Sequence, residues 1–140
     1  MSAREELVID PKTGGSKGRK DAQLGAVDPG AIMAVAEVAG FGARKYARYN
    51  FARGYAWSLS YDALQRHLHA FWGGQDRDEE TGLYHLAHAA WHCLALLTFV
   101  MRGRGTDDRF PSRSPAAAMR LEQGIDDAKR GKISPMGHDK

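Results

Sequence analysis

The chain has 140 residues, of which 43% are hydrophobic and 26% charged. That balance points to one folded domain and excludes a disordered chain; no apolar stretch approaches the ~20 residues that span a bilayer. The formal net charge of +3 is too mild to nominate nucleic acid on its own, and the single cysteine rules out an internal disulfide. Cys93 lies in the apolar run from Cys93 to Met101, so the expectation is a buried thiol in a reducing, intracellular setting. The polar N-terminus does not read as a signal peptide, so the expected location is the cytoplasm.

Residues 1–27 are rich in Gly, Lys and Asp and show no sustained periodicity. They read as a flexible basic arm, with Lys17, Arg19 and Lys20 as its charged part. Asp28 followed by Pro29 is a helix start, an acidic cap before a residue whose φ is already helical. The apolar run from Ala31 predicts a first helix to about Tyr46. Residues 47–58 form a loop rich in aromatics and arginine. Ser58 or Ser60 is a candidate cap for a second helix over about 60–73, which Gly73 and Gly74 end. Residues 75–80 are an acidic connector, and Thr81 is a candidate cap for a third helix to Arg102. Residues 103–115 are irregular in composition, a fourth helix is expected over about 115–130, and 131–140 is a loose tail. With no strand alternation and no repeat, the fold class is all-α. The expected architecture is a bundle of about four helices within a single domain over 28–130.

Three of the six histidines fall between residues 85 and 92. At about 100° per residue, with His85 at zero, His88 falls at about 300° and His92 at about 340°. They therefore share a stripe. Leu83, Leu86, Leu94, Leu97 and Val100 fill the neighbouring arc of roughly 60–180°. His67 is centred on the apolar face of the second helix, whereas His69 falls among polar residues and faces solvent. Convergent neutral imidazoles suit a transition metal, and the alternative is a hydrogen-bonded core network. Asp76, Asp78, Glu79 and Glu80 suit Mg²⁺ or Mn²⁺, or they are surface charges at a helix N-terminus. Glu37 stands alone among apolar residues. Burial there would demand a cation, either a metal or a basic side chain such as Arg44. Arg44, Lys45 and Arg48 could meet phosphates. Tyr46, Tyr49, Phe51, Tyr55 and Trp57 either stack on a base or pin the loop to the core.

The segments G-A-R-K-Y-A-R-Y-N-F-A-R-G-Y, D-A-L-Q-R-H-L and D-R-D-E-E-T-G-L-Y-H-L-A-H-A-A-W-H resemble the phage-type dATP/dGTP diphosphohydrolase N-terminal domain family. Its pattern runs G-A-x-K-Y-x-x-x-N-W-x-x-G, then R-H-L, then G-E-D-x-D-x-E-S/T-G-x-x-H-L-A-H-A. The resemblance covers about residues 14–100. It implies a helical frame distantly similar to MazG-type nucleotide pyrophosphohydrolases. The implied chemistry is cleavage of deoxynucleoside triphosphates to monophosphate and pyrophosphate, with Mg²⁺, Mn²⁺ or another transition metal. By position, His67, His85, His88 and Glu80 become candidate catalytic residues. His67, Asp76, Asp78, Glu80, His85, His88 and Glu37 become candidate metal ligands. Lys45, Tyr46, Asn50 and Arg66, with Lys17 and Lys20 of the arm, become candidate substrate contacts. Gln75 stands where the pattern has Glu, and Phe51 where it has Trp. The expected partners are a nucleotide and further copies of the chain, with nucleic acid weakly supported and no membrane. The alternative to an enzyme is a phage accessory protein that binds nucleotide or nucleic acid without turnover.

Overall fold

The computed structural model describes residues 5–110, 123–127 and 129–131. It is mostly helical, with one small sheet. The chain divides into two compact units, Met1–Met33 and Ala34–Lys140, each described by itself.

The N-terminal unit holds an antiparallel hairpin, β1 (Glu5–Ile9) and β2 (Ser16–Lys20). This corrects the expectation of a chain without strands. Neither segment alternates, so the signal lies between them: Glu5 faces Lys20 and Glu6 faces Arg19, opposite charges across the pair. The turn is closed locally, with Asp10 Oδ1 accepting the N–H groups of Lys12 and Thr13 at 2.8 and 2.9 Å. Gly14 supplies the left-handed φ of 73° that the turn requires. All but Gly18 of the strand residues are exposed, and a lone two-stranded ribbon is marginal in water.

Helix α1 (Pro29–Lys45) starts as expected: Asp28 Oδ2 accepts the Ala31 N–H at 2.7 Å. Val38 is its one buried residue. Glu37 is exposed, so the burial that would have forced a cation beside it does not exist.

Helices α2 (Trp57–Trp72) and α3 (His85–Arg102) pack on each other and form the core. The buried residues of the two helices are mostly small: Ala63 on α2, and Ala87, Ala89 and Ala95 on α3, with Phe99 at 0% exposure. Small side chains let two helices approach closely. The Phe99 ring meets Tyr55 edge to face, with centroids 5.1 Å apart. Between these residues sit three buried polar side chains, Ser60, His85 and His88.

The start of α2 differs from the expected cap. Ser60 lies inside the helix, and the cap comes from Asp108, whose Oδ1 accepts the Ser58 N–H at 2.9 Å. Asp108 reaches that position because residues 104–108 return along the α2 entry: Trp57 N–H donates to the Thr106 carbonyl and Trp57 Nε1 to the Arg104 carbonyl. Two glycines permit the approach. A Cβ on Gly54 would stand 2.3 Å from Gly105 N, and one on Gly105 would stand 2.3 Å from the Tyr55 carbonyl oxygen. Residues 103–108 are irregular in backbone, as expected, and form a clasp over the start of α2.

Helix α2 ends at Gly73 as expected. Helix α3 begins four residues later than Thr81, because residues 76–85 form a tight turn of their own. The arc of α3 that carries Leu86, Leu94, Leu97 and Val100 is 46–58% exposed, and Cys93 on the same side is exposed too. This reverses the expectation of a buried thiol: α2 covers the histidine side of α3 and leaves the leucine side bare. Of the fourth helix, residues 123–127 are helical, and 111–122 lie outside the described residues. No helix among the described residues is long and apolar enough to cross a membrane.

Candidate functional site

The acidic connector is folded into a small hairpin. Asp78 N–H donates to the Leu83 carbonyl, Gly82 N–H to the Asp78 carbonyl, and His85 N–H to the Asp76 carbonyl. Gly82 takes the left-handed φ of 72° at the turn. Arg77 braces the outside, donating to the Gly82 carbonyl and the Tyr84 hydroxyl and lying 4.1 Å over the Tyr84 ring. Inside, Thr81 N–H donates to Asp78 Oδ2 at 3.0 Å, and Thr81 Oγ1 accepts the Leu83 N–H. Thr81 is thus a brace for Asp78 and not a helix cap.

This hairpin delivers Asp78 to the histidines of α2 and α3. The rings of His67 and His88 stack nearly parallel, 4.4 Å apart and 4° from coplanar alignment. His67 Nδ1 and His85 Nδ1 stand 2.9 Å apart. Donor atoms of His67, Asp78 and His85 all lie within 4.8 Å of one another. His88 Nε2 is 2.8 Å from Thr81 Oγ1, and His92 Nδ1 is 3.0 Å from Ser60 Oγ, which in turn meets the Tyr55 hydroxyl.

Gln75 holds the ring of His85. Its amide nitrogen donates to Glu79 Oε1 at 3.1 Å, so its carbonyl oxygen faces His85 Nε2 at 2.8 Å and accepts that N–H. The other ring nitrogen, Nδ1, faces His67. A ligand histidine usually has its second nitrogen held by a carbonyl or carboxylate in this way. Glutamine in place of the family's Glu still supplies that oxygen.

The electrostatics suit a cation. Burial lowers the His67 pKa to about 4, the nearby His88 and His85 add to the fall, and Asp78 opposes it. Burial likewise lowers His92 to about 4, with His67 and His88 contributing, and it lowers His88. These imidazoles are neutral at pH 7, which is the ligand form. Burial pushes the Asp78 carboxyl up, but the Thr81 N–H and hydroxyl outweigh it, so Asp78 ionises more readily than usual. Two imidazole nitrogens and a carboxylate are a donor set for a divalent transition metal. The 2.9 Å between the two Nδ1 atoms is near the separation of adjacent ligands on an ion with bonds of about 2.1 Å. The residues fit the group.

Above this set opens a cleft of about 1020 Å³. Lys45, Tyr46, Asn50, His67, Asp78, Glu80 and His88 line it, together with Ser60, Tyr55, Thr81, Trp91 and His92. Lys45 Nζ is 3.5 Å from Glu80 Oε1, an exposed pair at the rim. The loop aromatics divide. Phe51 packs on Trp91, Tyr55 on Phe99, and Trp57 bonds to Arg104, so these pin the loop. Tyr46 and Tyr49 are 67% and 66% exposed at the cleft, each with a cation over one face of its ring, Lys45 at 5.5 Å and Arg48 at 5.3 Å.

Not every expected residue is brought in. Glu37 is exposed on α1, and neither it, Arg66, Asp76 nor His85 is among the residues lining the cleft; His85 is buried behind His67 and Gln75. Asp76 contributes its carbonyl, to the His85 N–H, and Glu80 belongs to the rim and not to the grouped donors. Lys17 and Lys20 lie on β2 in the N-terminal unit. The sequence alone does not mark Ser60 or Thr81 as residues of the cleft. A small hydroxyl at helical spacing from His67 was the available signal for Ser60.

A family model described as dATP/dGTP diphosphohydrolase, N-terminal, matches residues 11–109. A dATP/dGTP diphosphohydrolase of Salmonella phage PMBT28 is 33% identical over 115 residues, 82% of this chain and 37% of that protein. The chain thus spans little more than a third of that relative's length. No solved structure matches.

Proposed function

The chain belongs to the dATP/dGTP diphosphohydrolase N-terminal family, and from that premise we propose that it hydrolyses deoxynucleoside triphosphates, dATP and dGTP, to monophosphate and pyrophosphate in a metal-dependent reaction. The observation that carries this reading is the donor set of His67, Asp78 and His85 beneath a cleft with a lysine and two exposed tyrosines. A divalent ion, Mg²⁺, Mn²⁺ or another transition metal, would supply charge stabilisation at phosphate oxygens and a more acidic water. His67, Asp78 and His85 would hold it, with Gln75 fixing the ring of His85 and Thr81 the carboxylate of Asp78. Lys45 would neutralise phosphate charge, positioned by Glu80. Tyr46 or Tyr49 would stack on the base, and Asn50 would hydrogen-bond the substrate. His88, neutral and facing the cleft, would accept the proton of the attacking water. A homo-oligomer, a host-cytoplasmic setting and a distant MazG-like origin belong to the same proposal.

One observation favours a second reading. Most of the phage relative lies beyond the matched region, so the activity in its name can reside elsewhere. In that case this domain binds nucleotide without turning it over. The test is pyrophosphate release from dATP, dGTP, dCTP and dTTP with Mg²⁺ or Mn²⁺, by the wild type and His85→Ala. Metal-dependent release that the folded variant lacks supports the enzyme. Nucleotide binding without release with any ion selects the second reading.

A further inference from the structure

Tyr49 is the one non-glycine among the described residues with a left-handed backbone, φ 66° and ψ 13°. A bulky side chain is disfavoured there, and glycine or asparagine ordinarily takes the place. The kink itself has a use. It lets the Asn50 N–H reach the Ala47 carbonyl and the Ala52 N–H reach the Tyr49 carbonyl, at 3.1 and 3.0 Å, which opens the short 3₁₀ turn Asn50–Arg53. Glycine would serve that turn better than tyrosine. The Tyr49 ring is 66% exposed, so it adds little to the core, and it lines the cleft. A side chain that strains the backbone without filling the core points to a task in the cleft.

The two cleft tyrosines differ in their company. Lys45 lies over the Tyr46 ring and also pairs with Glu80 at 3.5 Å, so Tyr46 stands with the charged rim. Arg48 lies over the Tyr49 ring and forms no ion pair among the described residues. We propose that Tyr49, with Arg48 behind its ring, is the platform on which the nucleobase stacks, and that Tyr46 stays with the phosphate-binding Lys45. This rests on the nucleotide reading above and names which tyrosine meets the base. The guanidinium occupies one face of the ring, and the base takes the other. Every base offers a π-face to such a platform, and a two-ring purine overlaps it more than a pyrimidine does. Binding at Tyr49 does not depend on turnover, so it holds whether this domain hydrolyses the nucleotide or only retains it.

The experiment is calorimetric titration of the full chain, with Mg²⁺, by three probes: the α,β-imido analogues of dGTP and dCTP, which resist cleavage, and inorganic triphosphate. Tyr49→Gly should weaken the dGTP analogue by about tenfold and the dCTP analogue by less, and leave inorganic triphosphate within about twofold. Tyr49→Phe, which keeps the ring, should bind as the wild type does. Glycine suits the left-handed φ, so the melting temperature of Tyr49→Gly should stay within about 2 °C of wild type. Unchanged affinity of Tyr49→Gly for the dGTP analogue, or an equal loss for inorganic triphosphate, would overturn the proposal and leave the nucleotide reading intact. So would a fall in its melting temperature of about 5 °C or more, which would make the ring a structural pin. A wild type that binds none of the three probes would remove the nucleotide reading and this proposal together.

Discussion

The two sides of α3 have the same helical spacing and opposite fates. On one side His85 and His88 are 4% and 7% exposed; on the other, Leu94 and Leu97 are more than half exposed. A chain that optimised only its own core would have these exchanged, since a buried imidazole costs free energy and a buried leucine returns it. The polar side is inside because each histidine finds a partner there: Gln75 and His67 for His85, Thr81 for His88, Ser60 for His92. Among the described residues no buried side-chain polar atom lacks a hydrogen-bond partner. The alanine contacts and Phe99 thus pack around a hydrogen-bonded polar network.

The largest effect that would break this comparison is at His85. His85→Ala should reduce turnover by at least about a hundredfold, more than an orienting residue costs, while circular dichroism stays native. Activity within a few-fold of wild type would return the histidines to a structural role. Phe99→Ala removes the largest fully buried side chain among the described residues and should cost about 3–5 kcal/mol in urea unfolding, without preference between metal-bound and metal-free protein. Gln75 separates orientation from charge. Gln75→Ala should lower metal affinity by about 10–100-fold, whereas Gln75→Glu, which keeps an acceptor for the His85 N–H, should retain it. Equal losses in both would show that Gln75 acts through packing alone.

The pH response is smaller and tests the inner side alone. His67 and His92 have folded pKa values of about 4, below the ordinary 6.5 of the unfolded chain. Between those values the unfolded state binds more protons, so stability rises with pH across the window. It is complete above about 6.5 and is lost as pH falls toward 4. The metal-free chain should therefore melt at a lower temperature at pH 5 than at pH 7, and an equal melting temperature would contradict the burial of these rings. The smallest effect is expected at the clasp, where Asp108→Ala should cost about 1 kcal/mol for the lost cap of α2.

Much of the inner side was legible. Helical spacing placed His67, His85 and His88 together, and the Asp28-Pro29 pair marked the start of α1. Periodicity states which residues share a face, however, and not which face is covered; that is why Cys93 was expected inside. The hairpin escaped because its register depends on charge pairing between segments that look featureless alone. The α2 cap escaped because Asp108 is fifty residues from the Ser58 amide it holds. Glu37 misled because apolar neighbours in sequence do not bury a side chain when α1 contributes little to the core.

The central claim is that the buried imidazoles and Asp78 exist to hold a divalent ion, and calorimetric titration of the metal-free chain with Mn²⁺ tests it most directly. Saturable binding that falls in both His67→Ala and Asp78→Asn, with fold retained, is the predicted result. No binding, or binding unchanged in both variants, would contradict the account and leave the histidine stripe as a polar core.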